Sequence, residues 1–364
     1  MSYKFATPEQ AARMLISNTK DSSSQGRPGC VNLRSADRLG GIIGMETEVS
    51  LCAPPNEKCI NPISTTAGID FVRSVVSVAR GMVPSHATRL NIKVIARNNV
   101  ISGLSVAAQD AGATIEGIIN IGQEHSLVYI GYNHASRIRT PIDPAKLLTE
   151  AQSKAGLGLD PLERESVLNA VAANGHISYT LIDNNATSVS PAFFDDISAL
   201  LSTFQYSRDN ALENVTSPSN TVVLASGPDG RIIGIAVAEK VPLRMDSGKT
   251  FNLIELTDFV VRKSPNSVSG PTYYSTGKTS YVMTSILLHH ILGDSAADPC
   301  SIFAEANISN HMITTFATFG AQIVGILPHH VNIVNSSISN LYSFALMQFQ
   351  PETLDTNLIN ALRR

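Results

Sequence analysis

The chain has 364 residues, 43% of them apolar and 16% charged, which is enough apolar material for a sizeable core and too much for wholesale disorder. A net charge of −3, with no dense Lys/Arg cluster, excludes the usual electrostatic footprint of a nucleic-acid binder. Length and composition suit two domains, with a small molecule or another protein as partner.

The N-terminal run MSYKFATPEQAARML lacks the apolar core of a secretory signal. No stretch approaches the ~20 apolar residues that span a bilayer. The expectation is a soluble, cytoplasmic protein with no membrane partner. Cys30, Cys52, Cys59 and Cys300 are too few for a disulfide-built fold and form no CxxC. Cys52 and Cys59 share one proline-containing loop and read as ordinary thiols.

In chain order, the first informative feature is a repeat. Residues 94–119, VIARNNVISGLSVAAQDAGATIEGII, match residues 302–327, IFAEANISNHMITTFATFGAQIVGIL, at one constant offset. Ala96 meets Ala304, Asn99 meets Asn307, Gly112 meets Gly320, Ala113 meets Ala321, Ile115 meets Ile323 and Gly117 meets Gly325. Upstream, METEVSL (45–51) faces ELTDFVV (255–261), and STTAGIDFVRSVVSVA (64–79) faces YSTGKTSYVMTSILLH (274–289). Each copy reads as strand, loop, helix, strand, helix, strand, which requires right-handed crossovers and a partly parallel sheet.

Prolines 141, 144 and 161 punctuate two helix-like runs between the copies, so a linker is placed at 141–173. Beyond it, HISYTLID (176–183) is a strand. Ser190 and Pro191 then open a helix whose first turns carry Asp195 and Asp196. TVVLASGPDGRIIGIAVAEKV (221–241) is a hairpin around Pro-Asp-Gly. TFNLIELTDFVV (250–261) is a strand, Thr279–Leu292 a helix with Gly293 as its stop, and 299–304 a strand. Ser309–Phe319 is a helix ended by Gly320, and Ala321–Leu327 a final strand. The first copy begins near Val31 and has no hairpin of its own.

Strand, helices, antiparallel hairpin, long strand, helix, strand, helix, strand resembles the GNAT superfamily of acyl-CoA-dependent N-acetyltransferases. The resemblance runs from 174 to 345. Glu255-Leu256-Thr257-Asp258-Phe259 looks like the fourth strand of the beta-lysine N-acetyltransferase subgroup, and Gly320-Ala-Gln-Ile-Val-Gly-Ile-Leu resembles the superfamily's ending. The fold expected is α/β: a GNAT-like mixed sheet with flanking helices, in tandem. It comprises a partial, degenerate copy over 1–140, the linker, and a complete copy over 174–364.

The resemblance implies acyl transfer, most simply acetyl, from acyl-CoA to the primary amine of a small molecule or to a protein lysine, with no metal. Phe259, Val260 and Val261 would line the pantetheine track, where backbone N–H groups polarise the thioester carbonyl. The pyrophosphate would lie on the helix N-terminus built by Thr276, Gly277, Lys278, Thr279 and Ser280. Asn307 would bond CoA or the fifth-strand backbone, or else serve a turn or a helix N-cap. Glu255, and after it Asp258, would serve as general base, the two facing opposite sides of the strand.

The sequence also departs from the family. Tyr274 and Thr279 replace the outer members of the usual phosphate loop, residues 263–272 are an insertion, and Phe316 stands where many members carry a proton-donating tyrosine. Two alternatives follow: a GNAT-derived scaffold that binds another protein, or a transferase that takes its acyl group from a carrier protein docked on the insertion. A Walker A reading of Gly270–Thr279 fails on the spacing of its glycines. His289-His290 and His329-His330 lack neighbouring ligands and read as surface or cleft-edge histidines.

Overall fold

The structure is a computed structural model. It describes residues 31–36, 44–49, 73, 77, 89–133, 143–173, 176–183, 187–202, 208–244, 250–262, 276–294, 300–335 and 338–362. Cys30, Cys52, Cys59, the first copy's Thr65–Gly68 loop, the 263–272 insertion and Tyr274 lie outside the described residues. The chain forms two compact, interleaved units. Unit 1 comprises residues 1–144, 242–251 and 324–344, and unit 2 comprises 145–241, 252–323 and 345–364.

Unit 1 contains β1 (Val31–Ala36), β2 (Gly44–Val49), β3 (Arg89–Arg97), α1 (Ile101–Asp110), β4 (Thr114–Ile121) and β5 (His125–Asn133). Its strand order is β1-β2-β3-β5-β4, with β2 and β3 parallel. Leu104, Ala107 and Ala108 bury one face of α1, at the helical spacing that makes a stripe. Gly112, at φ 74°, ends that helix in the left-handed conformation that glycine adopts without steric cost.

Unit 2 opens with α2 (Pro144–Gly158) and α3 (Pro161–Ala173), followed by β6 (Ser178–Asp183), α4 (Phe194–Ser202), α5 (Arg208–Thr216), β7 (Asn220–Ser226) and β8 (Ile232–Arg244). Then come β9 (Thr250–Val261), α6 (Thr276–Asp294), β10 (Cys300–Asn307), α7 (Met312–Thr318), β11 (Ala321–Asn335), β12 (Ile338–Phe349) and α8 (Thr356–Leu362), with residues 242–251 and 324–344 of β8, β9, β11 and β12 belonging to unit 1. Strand order is β12-β10-β9-β8-β7-β6, antiparallel from β6 to β8 and parallel between β9 and β10. The whole is mixed α/β, as the alternation of elements dictates.

The expected hairpin forms around Gly230, at φ 76°, with Asp229 Oδ1 accepting from Arg231 N at 3.2 Å. Ser190 caps a short 3-10 turn by accepting from Ala192 N, and α4 follows with Asp195 and Asp196 in its first turn. Ile197, Leu200 and Leu201 of α4 are fully buried against Val222, Leu224 and Ile235 of the hairpin. Each such side chain contributes roughly 1.5–3 kcal/mol of burial. Other boundaries move outward, except that the helix expected over Ser309–Phe319 is shorter, at Met312–Thr318. Gly293 lies inside α6, which runs to Asp294, and β10 and β11 outlast the expected strands, so His329-His330 falls within β11.

Helices α2 and α3 are packed against the rest of unit 2. A Cβ on Gly158 would strike the backbone of Thr314 and Thr318 in α7, so that glycine permits close helix contact. Arg164 of α3 pairs with Asp355 at 2.8 Å and donates to Thr318 O. On the sheet, Gly234 of β8 makes room for Met283 of α6.

Candidate functional site: the parting of two parallel strands

β9 and β10 pair in parallel from Asn252↔Cys300 to Leu256↔Ala304, and there the register stops. Both strands continue, β9 to Val261 and β10 to Asn307. β9 remains attached on its other side, where Arg262 N donates to Ile233 O of β8 at 2.7 Å. β10 instead runs into a turn that its own last residue closes: Asn307 Oδ1 accepts from Ser309 N at 2.9 Å and from Ser309 Oγ at 2.8 Å. The strands therefore part after Leu256. Backbone groups on the facing edges lose the ladder that satisfied them, which is the condition under which a sheet accepts another extended chain.

The parting coincides with a change of phase in β9. Asn252 and Ile254 line a small cavity with His290 and Ile291 of α6. Simple alternation would keep Asp258 and Val260 on that face too. Instead Val260 joins the core under α4, and Asp258 Oδ2 accepts from Asn214 Nδ2 of α5 at 2.9 Å. The switch falls at Asp258, whose φ of 51° is left-handed, as at a bulge. Glu255, next to Ile254, is on the opposite face from it by alternation. The two carboxylates therefore share one face, whereas unbroken alternation would separate them.

Asp258 is buried, with 7% of its surface exposed. Its Oδ1 has no hydrogen-bond partner among the described residues. Glu255 is half-buried and stands opposite Phe303 in the paired part of the ladder. The next residue, Phe259, meets Phe316 of α7 edge-to-face at 5.3 Å, and Phe316 meets Phe349 of β12 at 5.6 Å. Phe316 is thus the middle of an aromatic row against the parted segment of β9. Val261 is half-buried at the end of that strand.

Helix α6 begins at Thr276, with Gly277 in its first turn. Lys278 Nζ lies 3.3 Å from Glu163 Oε1 and 3.4 Å from Ser166 Oγ, both on α3, and 5.5 Å from the Tyr281 ring centroid. Thr279 and Ser280 are buried. Thr279 hydrogen-bonds Tyr179, and Ser280 Oγ lies 3.1 Å from His311 Nε2. Burial pushes the Tyr179 phenol up to about 12, against the partial lowering from Thr279. Tyr281 is also raised, first by burial and then by the negative charge of Glu163, against lowering hydrogen bonds from Thr318 and Thr315. These side chains consolidate the start of α6.

Sequence reasoning missed Asn214. No motif marks it, because its link to Asp258 exists only after α5 packs beside β9. It also missed β5 and β12, whose strands intervene between β3 and β4 and between β10 and β11.

From β6 to β11 the chain follows the order of elements expected from the sequence. No family model and no curated protein matches the chain. Solved structures similar to it include Arabidopsis thaliana NAA60 in complex with acetyl-CoA, at 16% identity and a TM-score of 0.36, covering 48% of this chain and 99% of that one. Aminoglycoside 6'-acetyltransferase type Ii aligns at 18% identity and a TM-score of 0.31, covering 48% and 96%. The ribosomal-protein-S18-alanine N-acetyltransferase from Escherichia coli aligns at 12% identity and 0.34, covering 47% and 93%. Likeness at this level assigns no residue a role.

Proposed function

We propose that unit 2 transfers an acyl group, acetyl in the simplest case, from acyl-CoA to a primary amine of a small molecule or a protein. One observation carries the reading: β9 and β10 stop pairing at Leu256 and Ala304 although both strands continue. The amide-bearing pantetheine arm is an extended chain that can bond to the freed edge of β9 along Phe259, Val260 and Val261. N–H groups on that edge then stabilise the oxyanion formed from the thioester carbonyl. The pyrophosphate rests on the first turn of α6 at Thr276, Gly277 and Lys278, with Thr279 and Ser280 holding that turn in place. Asn307 shapes the rim by closing the turn after β10. Glu255 and Asp258 are the carboxylates that would meet the amine.

Binding is tested by isothermal titration of the full chain with acetyl-CoA. Saturable heat at millimolar donor or below is expected, and a flat titration ends the proposal. Glu255→Gln distinguishes the two carboxylates: unchanged turnover removes Glu255 from the proton path.

A second reading, a scaffold derived from such an enzyme, has two observations in its favour. Phe316 has no proton for a departing thiolate, and Lys278 already pairs with Glu163. Unit 1 is read in either case as a partial copy. In support, β2/β3 and β9/β10 are both parallel, Gly112 and Gly320 are both left-handed, and the order β1-β2-β3-β5-β4 matches β8-β9-β10-β12-β11 element for element.

A further inference from the structure

Asp258 concentrates three features that a purely structural residue would not need. It is a non-glycine residue at φ 51°, its side chain is buried, and one carboxylate oxygen has no hydrogen-bond partner among the described residues. Strain and an unmatched buried oxygen both work against folding, and they fall together two residues beyond the last β9–β10 pair. Packing alone does not account for the carboxylate, since a neutral side chain there would avoid burying a charge.

The other oxygen is held with care. Asn214 Nδ2 donates to Oδ2 at 2.9 Å. Asn214 is itself fixed, because its main-chain oxygen accepts from Asn220 Nδ2 at 2.6 Å. Asn220, buried at the start of β7, is anchored in turn: its N donates to Ser217 O at 3.0 Å and its Oδ1 accepts from Ser219 Oγ at 3.2 Å. The chain of contacts runs from the α5–β7 junction to a single oxygen of Asp258. It leaves Oδ1 as the oxygen without a partner among the described residues.

We infer that Asn214 is a positioning residue that presents Asp258 Oδ1 to the ammonium group of the acceptor, making Asp258 the anchor and first proton acceptor. The inference rests on the acyl-transfer reading for its chemistry. An ammonium offers several N–H donors and a positive charge, so it satisfies the open oxygen and neutralises the buried carboxylate at once. In the reaction, R–NH3+ gives one proton to Asp258 and becomes R–NH2. The nitrogen lone pair forms a C–N bond to the thioester carbonyl carbon, and the C–S bond breaks with its electron pair on sulfur. A second proton passes from nitrogen to the thiolate, directly or through water, and Asp258 releases the first to solvent. Ammonium and acyl thioester become amide, thiol and one proton.

The test uses the full chain with n-butylammonium, and with n-butanol as its neutral counterpart, as equilibrium probes by NMR titration. Acetyl-CoA-dependent thiol release with n-butylamine is followed in parallel. Wild type is expected to bind n-butylammonium about tenfold or more tightly than n-butanol, the scale of one charge-assisted hydrogen bond. The isosteric Asp258→Asn should abolish that preference. Asn214→Ala should reduce it several-fold, raise the amine KM and lower kcat, with acetyl-CoA and n-butanol affinity unchanged. General damage to the fold would weaken all ligands together, and that result overturns the positioning role. Equal affinity of wild type for the two probes overturns the anchor, as does an undiminished preference in both variants. A clear ammonium preference without thiol release ends the acyl-transfer reading and leaves the ammonium site standing.

Discussion

Gly325 of β11 and Gly117 of β4 face each other as Cα partners in an antiparallel pairing, and they are positions that meet when segments 94–119 and 302–327 are aligned. A Cβ on Gly325 would come within 2.5 Å of both Glu116 O and Gly117 Cα. Backbone cannot rotate aside as a side chain can. Gly325→Ala should therefore cost roughly 1–3 kcal/mol through overpacking, read as a lowered midpoint in thermal or urea unfolding. A native midpoint would mean that the two strands do not approach so closely.

Phe316 links Phe259 and Phe349 and is 2% exposed. Phe316→Ala should remove about 3–5 kcal/mol, the usual cost of deleting a buried aromatic ring. Phe316→Tyr adds a hydroxyl inside an aromatic row. We expect a loss of about 1–3 kcal/mol, as for a buried hydroxyl without a partner. Denaturant unfolding checks both, and a Tyr variant as stable as wild type would show that the hydroxyl reaches water or a donor.

Glu163 holds the Lys278 charge that the proposed pyrophosphate site would use. Partly exposed pairs of this kind are worth ~0.2–1 kcal/mol. Glu163→Gln should release the lysine and tighten acetyl-CoA binding by about two- to fivefold. Lys278→Met should weaken it. If calorimetry finds neither change, Lys278 leaves the cofactor set and the backbone of α6 alone carries the phosphate.

Tyr179 is raised from 10.0 to about 12, mainly by burial. A folded-state value above the unfolded one favours the neutral phenol in the native protein. The stabilisation is complete below pH 10 and is lost as pH climbs from 10 towards 12. A shift of this size corresponds to roughly 2–3 kcal/mol. Unfolding free energies at pH 9 and pH 12 should therefore fall more for wild type than for Tyr179→Phe. Tyr281 is retained in both proteins, so its own loss cancels in the comparison. Equal falls would show that Tyr179 ionises as readily in the folded protein as outside it.

Much of unit 2 was legible because its signals are local. Ser190-Pro191 with two following aspartates marks a helix start by its own chemistry, and Pro-Asp-Gly marks a reversal. Gly112 and Gly320 mark helix ends through a backbone conformation that glycine reaches without penalty. Boundaries were less legible. Gly293 looked like a stop because glycine is a weak helix former, but α6 continues past it, the packing of a long buried helix outweighing the roughly 1 kcal/mol of propensity.

The sequence by itself determined most of the elements from β6 to β11, although not β5 or β12, and the set of candidate side chains, since each depends on residues within a few positions of one another. Tertiary structure alone decided which candidates meet. Nothing in Glu255-Leu256-Thr257-Asp258 announces that the strand changes phase at its last residue, bringing both carboxylates to one face and Asp258 against Asn214. Nor does any local pattern state that β10 leaves β9 after Ala304. Both are outcomes of long-range packing, in which α5, the hairpin and α7 compete for the same strand, and the register that buries the most apolar surface prevails.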